Sequence, residues 1–134
     1  MDKVLTPFKH HANDTGALTF IEAQRDIPFD IKRVYYIYNV EHCARRGFHA
    51  HRSLKQYLIC VSGSCNVELD DGNARCVVNL NDPNTGLYVA PGIWHEMFDF
   101  SANAVLLVLA SGYYDEADYI RDYGAFKAFV EMDG

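Results

Sequence analysis

His49 and His51 stand one residue apart in the run Gly47-Phe48-His49-Ala50-His51, and His95 follows the turn dipeptide Pro91-Gly92. Side chains alternate across an extended chain, so an His-x-His pair on a strand sends both imidazoles to one face. A third imidazole delivered after a Pro-Gly turn can join them inside a small barrel. Three converging imidazoles support three roles: metal ligation, general acid or base chemistry, or passive polar lining. A carboxylate would complete a metal set. The residue separated from His51 by four positions is Gln56, whose amide is a poor ligand for a divalent ion because it offers a dipole where a full negative charge is needed. This substitution predicts imidazoles available for proton transfer, and an ordinary histidine pKa of about 6.5 suits that work near neutral pH.

Arginines flank the histidine run. Arg33, Arg46 and Arg52 can each be a solvated surface charge or a phosphate ligand, since a guanidinium fork matches phosphate oxygens in a bidentate way. Tyr35 shares a predicted strand face with Arg33, where it either fills the core or presents a phenol to a sugar hydroxyl. Trp94, next to His95, is either a packing anchor or a platform for stacking. Tyr113, Tyr114 and Tyr119, interleaved with Asp115, Glu116 and Asp118, read as a solvated turn and helix face, with chain docking or dimer contacts as the other reading.

The elements that must position these groups are strands. Residues 30–39 alternate, with Arg33, Tyr35 and Ile37 on one face and Val34, Tyr36 and Tyr38 on the other. Further strands are predicted over 49–61 (broken near Ser53-Leu54), 65–69, 74–80, 87–90, 94–100 and 104–110. Asp70-Asp71-Gly72-Asn73 supplies a hairpin signal. Short strands at regular spacing with turn residues between them indicate an all-β sandwich or barrel. Over 115–131, Ala117, Ile120, Phe126, Phe129 and Val130 recur at helical spacing, so one or two short helices are expected to close the chain, capped by Ser111 or Asp115.

At 134 residues the chain is expected to be one domain, 1–134. Its formal charge of -6 argues against nucleic acid or an anionic membrane as the main partner. With no apolar run near the roughly twenty residues that span a bilayer and no signal-peptide pattern, a cytoplasmic location is expected. Cys43, Cys60, Cys65 and Cys76 lack a CxxC pairing and read as reduced structural thiols.

The histidine pattern with Gln56, Gly63 and Pro91-Gly92-Ile93-Trp94-His95 resembles that of the cupins, which implies an all-β jelly-roll barrel. The fuller set Arg33-Val34-Tyr35-Tyr36-Ile37, Arg46-Gly47-Phe48-His49-Ala50-His51, Leu69-Asp70-Asp71-Gly72, Trp94-His95-Glu96-Met97 and Tyr113-Tyr114-Asp115-Glu116 resembles the dTDP-4-keto-6-deoxyglucose 3,4-ketoisomerases over residues of about 14 to 130. That resemblance implies a cofactor-free and metal-free isomerase acting on a thymidine diphosphate sugar. It also implies a homodimer with exchanged strands and a place in making amino sugars for bacterial surface polysaccharide, such as lipopolysaccharide O-antigen or S-layer glycan. It places the catalytic residues at His51, His49 and Tyr35. His51 is expected to carry the proton, His49 to bind the sugar oxygens or act as a secondary acid, and Tyr35 to anchor. Arg33, Arg46, His95 and Trp94 are expected to bind substrate. Members of that family often carry an arginine before the first motif glycine, where this chain has Thr15. A dTDP-sugar epimerase and a metal-dependent cupin enzyme are the competing readings.

Overall fold

The computed structural model describes residues 5–133, which fold as a cupin jelly roll of two facing five-stranded sheets. The first sheet orders its strands β1-β9-β6-β11-β4: β1 (Leu5–Pro7), β9 (Thr85–Val89), β6 (Gln56–Ser62), β11 (Val105–Ala110) and β4 (Arg33–Tyr38). The second orders β12-β5-β10-β7-β8: β12 (Tyr119–Ile120), β5 (Arg46–His51), β10 (Trp94–Phe98), β7 (Cys65–Asp70) and β8 (Arg75–Leu80). A separate hairpin joins β2 (His10–Asn13) to β3 (Gly16–Thr19). The chain ends in α1 (Tyr123–Asp133), and none of the described helices is long and apolar enough to cross a membrane.

Between the sheets, Leu58, Leu87, Leu106 and Val108 meet Val67, Leu69, Val78 and Met97 in a dry core. β6 is buried on both faces and so reads as a continuous apolar run. On its far side Tyr57 and Ile59 pack with Phe8, Ile27 and Phe29, which cover the outside of the first sheet. β4 lies at that sheet's edge and keeps the expected alternation, with Arg33, Tyr35 and Ile37 half-buried and Val34, Tyr36 and Tyr38 exposed. At the predicted hairpin, Asp71 accepts from the Asn73 and Ala74 amides around Gly72, whose φ is +96°. All four cysteines are free thiols.

The closing segment departs from the helical reading. Asp115 caps a single 3-10 turn, Glu116–Asp118, by accepting from the Ala117 amide, as expected of a cap. The chain then becomes a strand, not a helix, pairing Tyr119 with His51 and Ile120 with Ala50. Ile120 therefore packs with Ala50, Trp94 and Phe126 from an extended segment. Its apparent helical spacing arises because two residues of strand and one face of α1 bury into the same cluster. α1 starts after Asp122, whose carboxylate accepts from the Ala125 amide.

Candidate active site

β5 and β10 are antiparallel neighbours that place His49 opposite His95. Their register shifts between His95 and Glu96, leaving Phe48 as the extra residue of a β-bulge. Phe48 has a φ of +58° and Gly47 a φ of +97°. A Cβ on Gly47 would stand 2.7 Å from the His95 carbonyl oxygen, so the motif glycine is required by the close approach of β10 as well as by its φ. The turn before β10 is tied in as well, because the Gly92 amide donates to the His51 carbonyl at 2.8 Å.

His49, His51 and His95 converge inside the barrel. Ring centroids are 4.6 Å apart for His49–His95, 5.0 Å for His49–His51 and 6.0 Å for His51–His95. Each ring is held at Nδ1: His49 by the Gly47 carbonyl at 3.0 Å, His95 by the Ile93 carbonyl at 3.0 Å and His51 by the Asp118 carboxylate at 3.1 Å. These partners only accept, so the proton of each neutral ring sits on Nδ1 and the lone pair on Nε2. The Nε2 atoms of His49 and His51 are buried and have no hydrogen-bond partner among the described residues. Burial pushes all three rings below their ordinary pKa, His51 to about 4 and His95 to about 3; the proximity of the other imidazoles adds to the effect at His51 and His95, Arg121 adds to it at His49, and Asp118 opposes it at His51. The imidazoles are neutral at physiological pH by a wider margin than an ordinary histidine.

Tyr35, on β4, accepts a hydrogen bond from the Gln56 amide at 2.8 Å. Burial, reinforced by neighbouring Tyr119, pushes the Tyr35 phenol up to about 12 against the opposing pull of Arg33. A cavity of about 400 Å³ opens beside these groups, lined among others by Arg33, Tyr35, Arg46, His49, Tyr119 and Arg121. A second, of about 440 Å³, continues past Arg33 and Tyr119 to His51, Tyr113, Tyr114 and Asp118. The Arg33 guanidinium lies over the rings of Tyr35 and Tyr114, and its buried Nε has no partner among the described residues. A larger cavity of about 470 Å³ between the β7–β8 turn and α1 is lined by none of the three histidines.

The fold thus brings together His49, His51, His95, Tyr35, Arg33 and Arg46. It does not bring Trp94. The alternation that turns His95 inward turns Trp94 outward, where its indole packs against Tyr123 and Phe126 and donates to Glu96 at 2.8 Å, so it is an anchor for α1. Arg52 likewise turns to the helix side, over Phe129. Thr15 sits in the β2–β3 turn, held by Asn13. Three residues that the sequence reading left on a solvated face or passed over belong to the site. Asp118 holds His51, the Tyr119 ring packs 4.4 Å from His51, and Arg121 stacks over Tyr119 at 4.2 Å while paired with Glu116. No local signal marks them, because a two-residue strand paired with β5 leaves no period in the sequence.

Jelly roll and inward histidine cluster together define a cupin with a cavity of ligand size rimmed by arginines. The chain belongs to the family described as FdtA: WxcM-like, C-terminal, which it matches over residues 1–131. It is 51% identical over 130 residues to a TDP-4-oxo-6-deoxy-alpha-D-glucose-3,4-oxoisomerase of Aneurinibacillus thermoaerophilus, covering 97% of this chain and 94% of that protein. QdtA, a sugar 3,4-ketoisomerase from Thermoanaerobacterium thermosaccharolyticum solved in complex with TDP, superposes with a TM-score of 0.96 at 49% identity, over 98% of this chain and 96% of that one. A histidine-to-asparagine variant of that enzyme was solved in complex with TDP-4-keto-6-deoxyglucose. A 3,4-ketoisomerase from Helicobacter canadensis gives a TM-score of 0.94 at 44% identity, over 98% of each chain. The resemblance to the sugar 3,4-ketoisomerases and the cupin fold expected from it are both borne out.

Proposed function

We propose that this protein is a dTDP-sugar 3,4-ketoisomerase that moves the carbonyl of dTDP-4-keto-6-deoxyglucose from C4 to C3 by acid–base chemistry alone. The observation that carries the reading is the pair of buried, lone-pair-bearing Nε2 atoms on His49 and His51 beside an arginine-rimmed cavity. Ligands named for its relatives support the substrate class.

In this reading His51 Nε2 takes the C3 proton. The C3–H electron pair becomes the C3=C4 double bond and the C4 carbonyl π pair moves onto its oxygen, giving an enediolate. Return of the proton to C4, with the 3-hydroxyl proton given up at O3 and one proton delivered to the C4 oxygen in exchange, leaves a carbonyl at C3 and a hydroxyl at C4, so one carbon is oxidised as the other is reduced and no outside oxidant is needed. His49, with Nε2 bare, accepts from the 3-hydroxyl. Because Gln56 donates to the Tyr35 oxygen, the phenol's own proton is directed elsewhere and serves the oxyanion. Arg33 and Arg46 hold the diphosphate, and His95 lines the sugar pocket.

Metal-binding cupins hold an ion on such histidines. Here the three ring nitrogens lie within 4.8 Å of one another, which suits a divalent ion in spacing. The charge does not suit it: the fourth position is the neutral Gln56, and Arg33, Arg46 and Arg121 line the neighbouring cavity. No step is therefore routed through a metal.

The assembly we read is a homodimer with exchanged strands. Support comes from edge strand β4, whose Val34, Tyr36 and Tyr38 are exposed, and from the β2–β3 hairpin, which among the described residues pairs only with itself and exposes Leu18. A cytoplasmic enzyme feeding an aminotransferase in surface-polysaccharide synthesis fits this product.

Proton NMR of the protein with dTDP-4-keto-6-deoxyglucose in D2O, with chelator present, tests the reaction. A 3-keto product supports it, and the isotope at C4 reports whether the proton exchanges with solvent. No new keto species, or exchange with inversion at C3 or C5 only, would overturn it in favour of an epimerase.

A further inference from the structure

Of the three histidines, His51 alone is held by a charge. His49 and His95 each give Nδ1–H to the carbonyl two residues earlier in the chain, Gly47 and Ile93. His51 instead gives it to Asp118, which is 67 residues away in sequence. The Asp118 carboxylate is itself fixed from several sides. Its Oδ1 accepts from the Ser53 amide and hydroxyl, both at 2.8 Å, and its Oδ2 accepts from the Leu54 amide at 3.3 Å as well as from His51 at 3.1 Å. The backbone is tied as firmly, since the Arg52 amide donates to the Asp118 carbonyl at 2.9 Å and the next residue, Tyr119, pairs with His51 across β12–β5. Burial works against the carboxylate's charge, but the Ser53 hydrogen bonds and the proximity of His51 outweigh it and hold Asp118 ionised.

We propose that Asp118 is the positioning residue that makes His51, and not His49 or His95, the proton-carrying base of the reaction. The inference rests on the ketoisomerase reading for its chemistry and on the hydrogen bonds for its geometry. A carbonyl and a carboxylate both pin the tautomer that leaves Nε2 bare. Only the carboxylate also brings a negative charge to balance the imidazolium that forms when Nε2 takes a proton from carbon. His49 and His95 lack that balance at Nδ1, so they accept hydrogen bonds but are poorer proton carriers. The same contact explains why the segment after β11 folds back across the cavity: the 3-10 turn and β12 are the arm that brings the carboxylate to the ring.

The deciding variant is Asp118→Asn. Its amide oxygen can keep the Ser53 contacts while its NH2 faces His51 and donates to Nδ1, moving the His51 proton to Nε2 and blocking the base. The expected result is a kcat lower by roughly 10²–10⁴-fold with KM changed by less than about threefold, as for loss of a general base that does not bind the ground state. Nitrogen-15 NMR of the imidazoles, recorded without substrate, gives a readout that a merely structural role would not move. Wild-type His51 is expected to be protonated at Nδ1 with a bare Nε2, and the variant to be protonated at Nε2. A wild-type His51 protonated at Nε2 would overturn the proposal even if the variant does not fold. So would an Asp118→Asn protein that keeps its tautomer or its kcat, or one that loses activity only through KM. A wild-type protein that makes no 3-keto sugar would sink the ketoisomerase reading, while the spectra would still decide whether Asp118 sets the tautomer of His51.

Discussion

Gln56 donates a hydrogen bond to the Tyr35 phenol oxygen at 2.8 Å, while its own Oε1, buried, has no partner among the described residues. In a metal-binding relative of this fold a glutamate in this position would ligate. Here a neutral amide donates to a phenol oxygen and brings no negative charge to the three imidazoles.

Gln56→Glu is therefore expected to reverse both properties. A carboxylate would accept the Tyr35 proton instead of donating to the oxygen, and would supply the missing negative charge beside three imidazole nitrogens. Calorimetric titration with Zn2+ or Ni2+ should show stoichiometric binding at least about a hundredfold tighter than wild type, with turnover reduced by about as much. Equal metal affinity in the two proteins would show that residue 56 does not decide between them.

Arg33→Lys isolates fork geometry from charge. The lysine keeps the positive field at His51 and Tyr35 but loses the stacking on Tyr35 and Tyr114 and the buried Nε donor. If Arg33 grips the diphosphate equally in ground and transition states, KM should rise by roughly tenfold with kcat nearly unchanged. A fall in kcat at constant KM would move Arg33 from binding into the chemistry.

The faces of β4 and the inward pair His49/His51 were legible in the sequence because a strand repeats every two residues and one face must be dry. That same rule puts Trp94 on the strand face away from His95, against Tyr123 and Phe126. Asp118 and Tyr119 were not legible, because what places them is the pairing of a two-residue strand with β5, a long-range contact with no local period. β1, β2 and β3 escaped for a related reason: they are three or four residues long and mostly exposed, so no buried face imposes a pattern.

Gly47→Ala tests the bulge that presents His49. The new Cβ meets the His95 carbonyl at 2.7 Å, and the φ of +97° is unfavourable for alanine. A destabilisation on the order of 2 kcal/mol is expected, read as a lower urea midpoint at unchanged m-value. Turnover should fall beyond what the loss of folded protein explains, since β10 and His95 must shift to make room. A variant with wild-type stability and turnover would show that the bulge tolerates a side chain and does not set the His49–His95 spacing.

Acid stability follows from the same histidines. His51 and His95 titrate near 4 and 3 in the folded protein, and His49 is also lowered, whereas in the unfolded chain a histidine titrates near its ordinary value of about 6.5. As pH falls through about 6.5 the unfolded chain takes up protons that the folded chain refuses, so stability declines with falling pH. The decline continues until the folded rings themselves protonate, His51 near pH 4 and His95 near pH 3, and amounts to a few kcal/mol in order of magnitude, because one ring's charging opposes the next. Catalysis should persist further than an unperturbed histidine allows, with kcat/KM flat from neutral pH to about one unit above the His51 value of about 4 for as long as the protein stays folded. Urea unfolding at pH 7, 6, 5 and 4.5, with kcat/KM measured at each, checks both slopes. Stability independent of pH between 6.5 and 5, or an acid limb centred near 6.5, would mean that the imidazoles sit in a wetter site than their packing against Tyr119 and Asp118 implies.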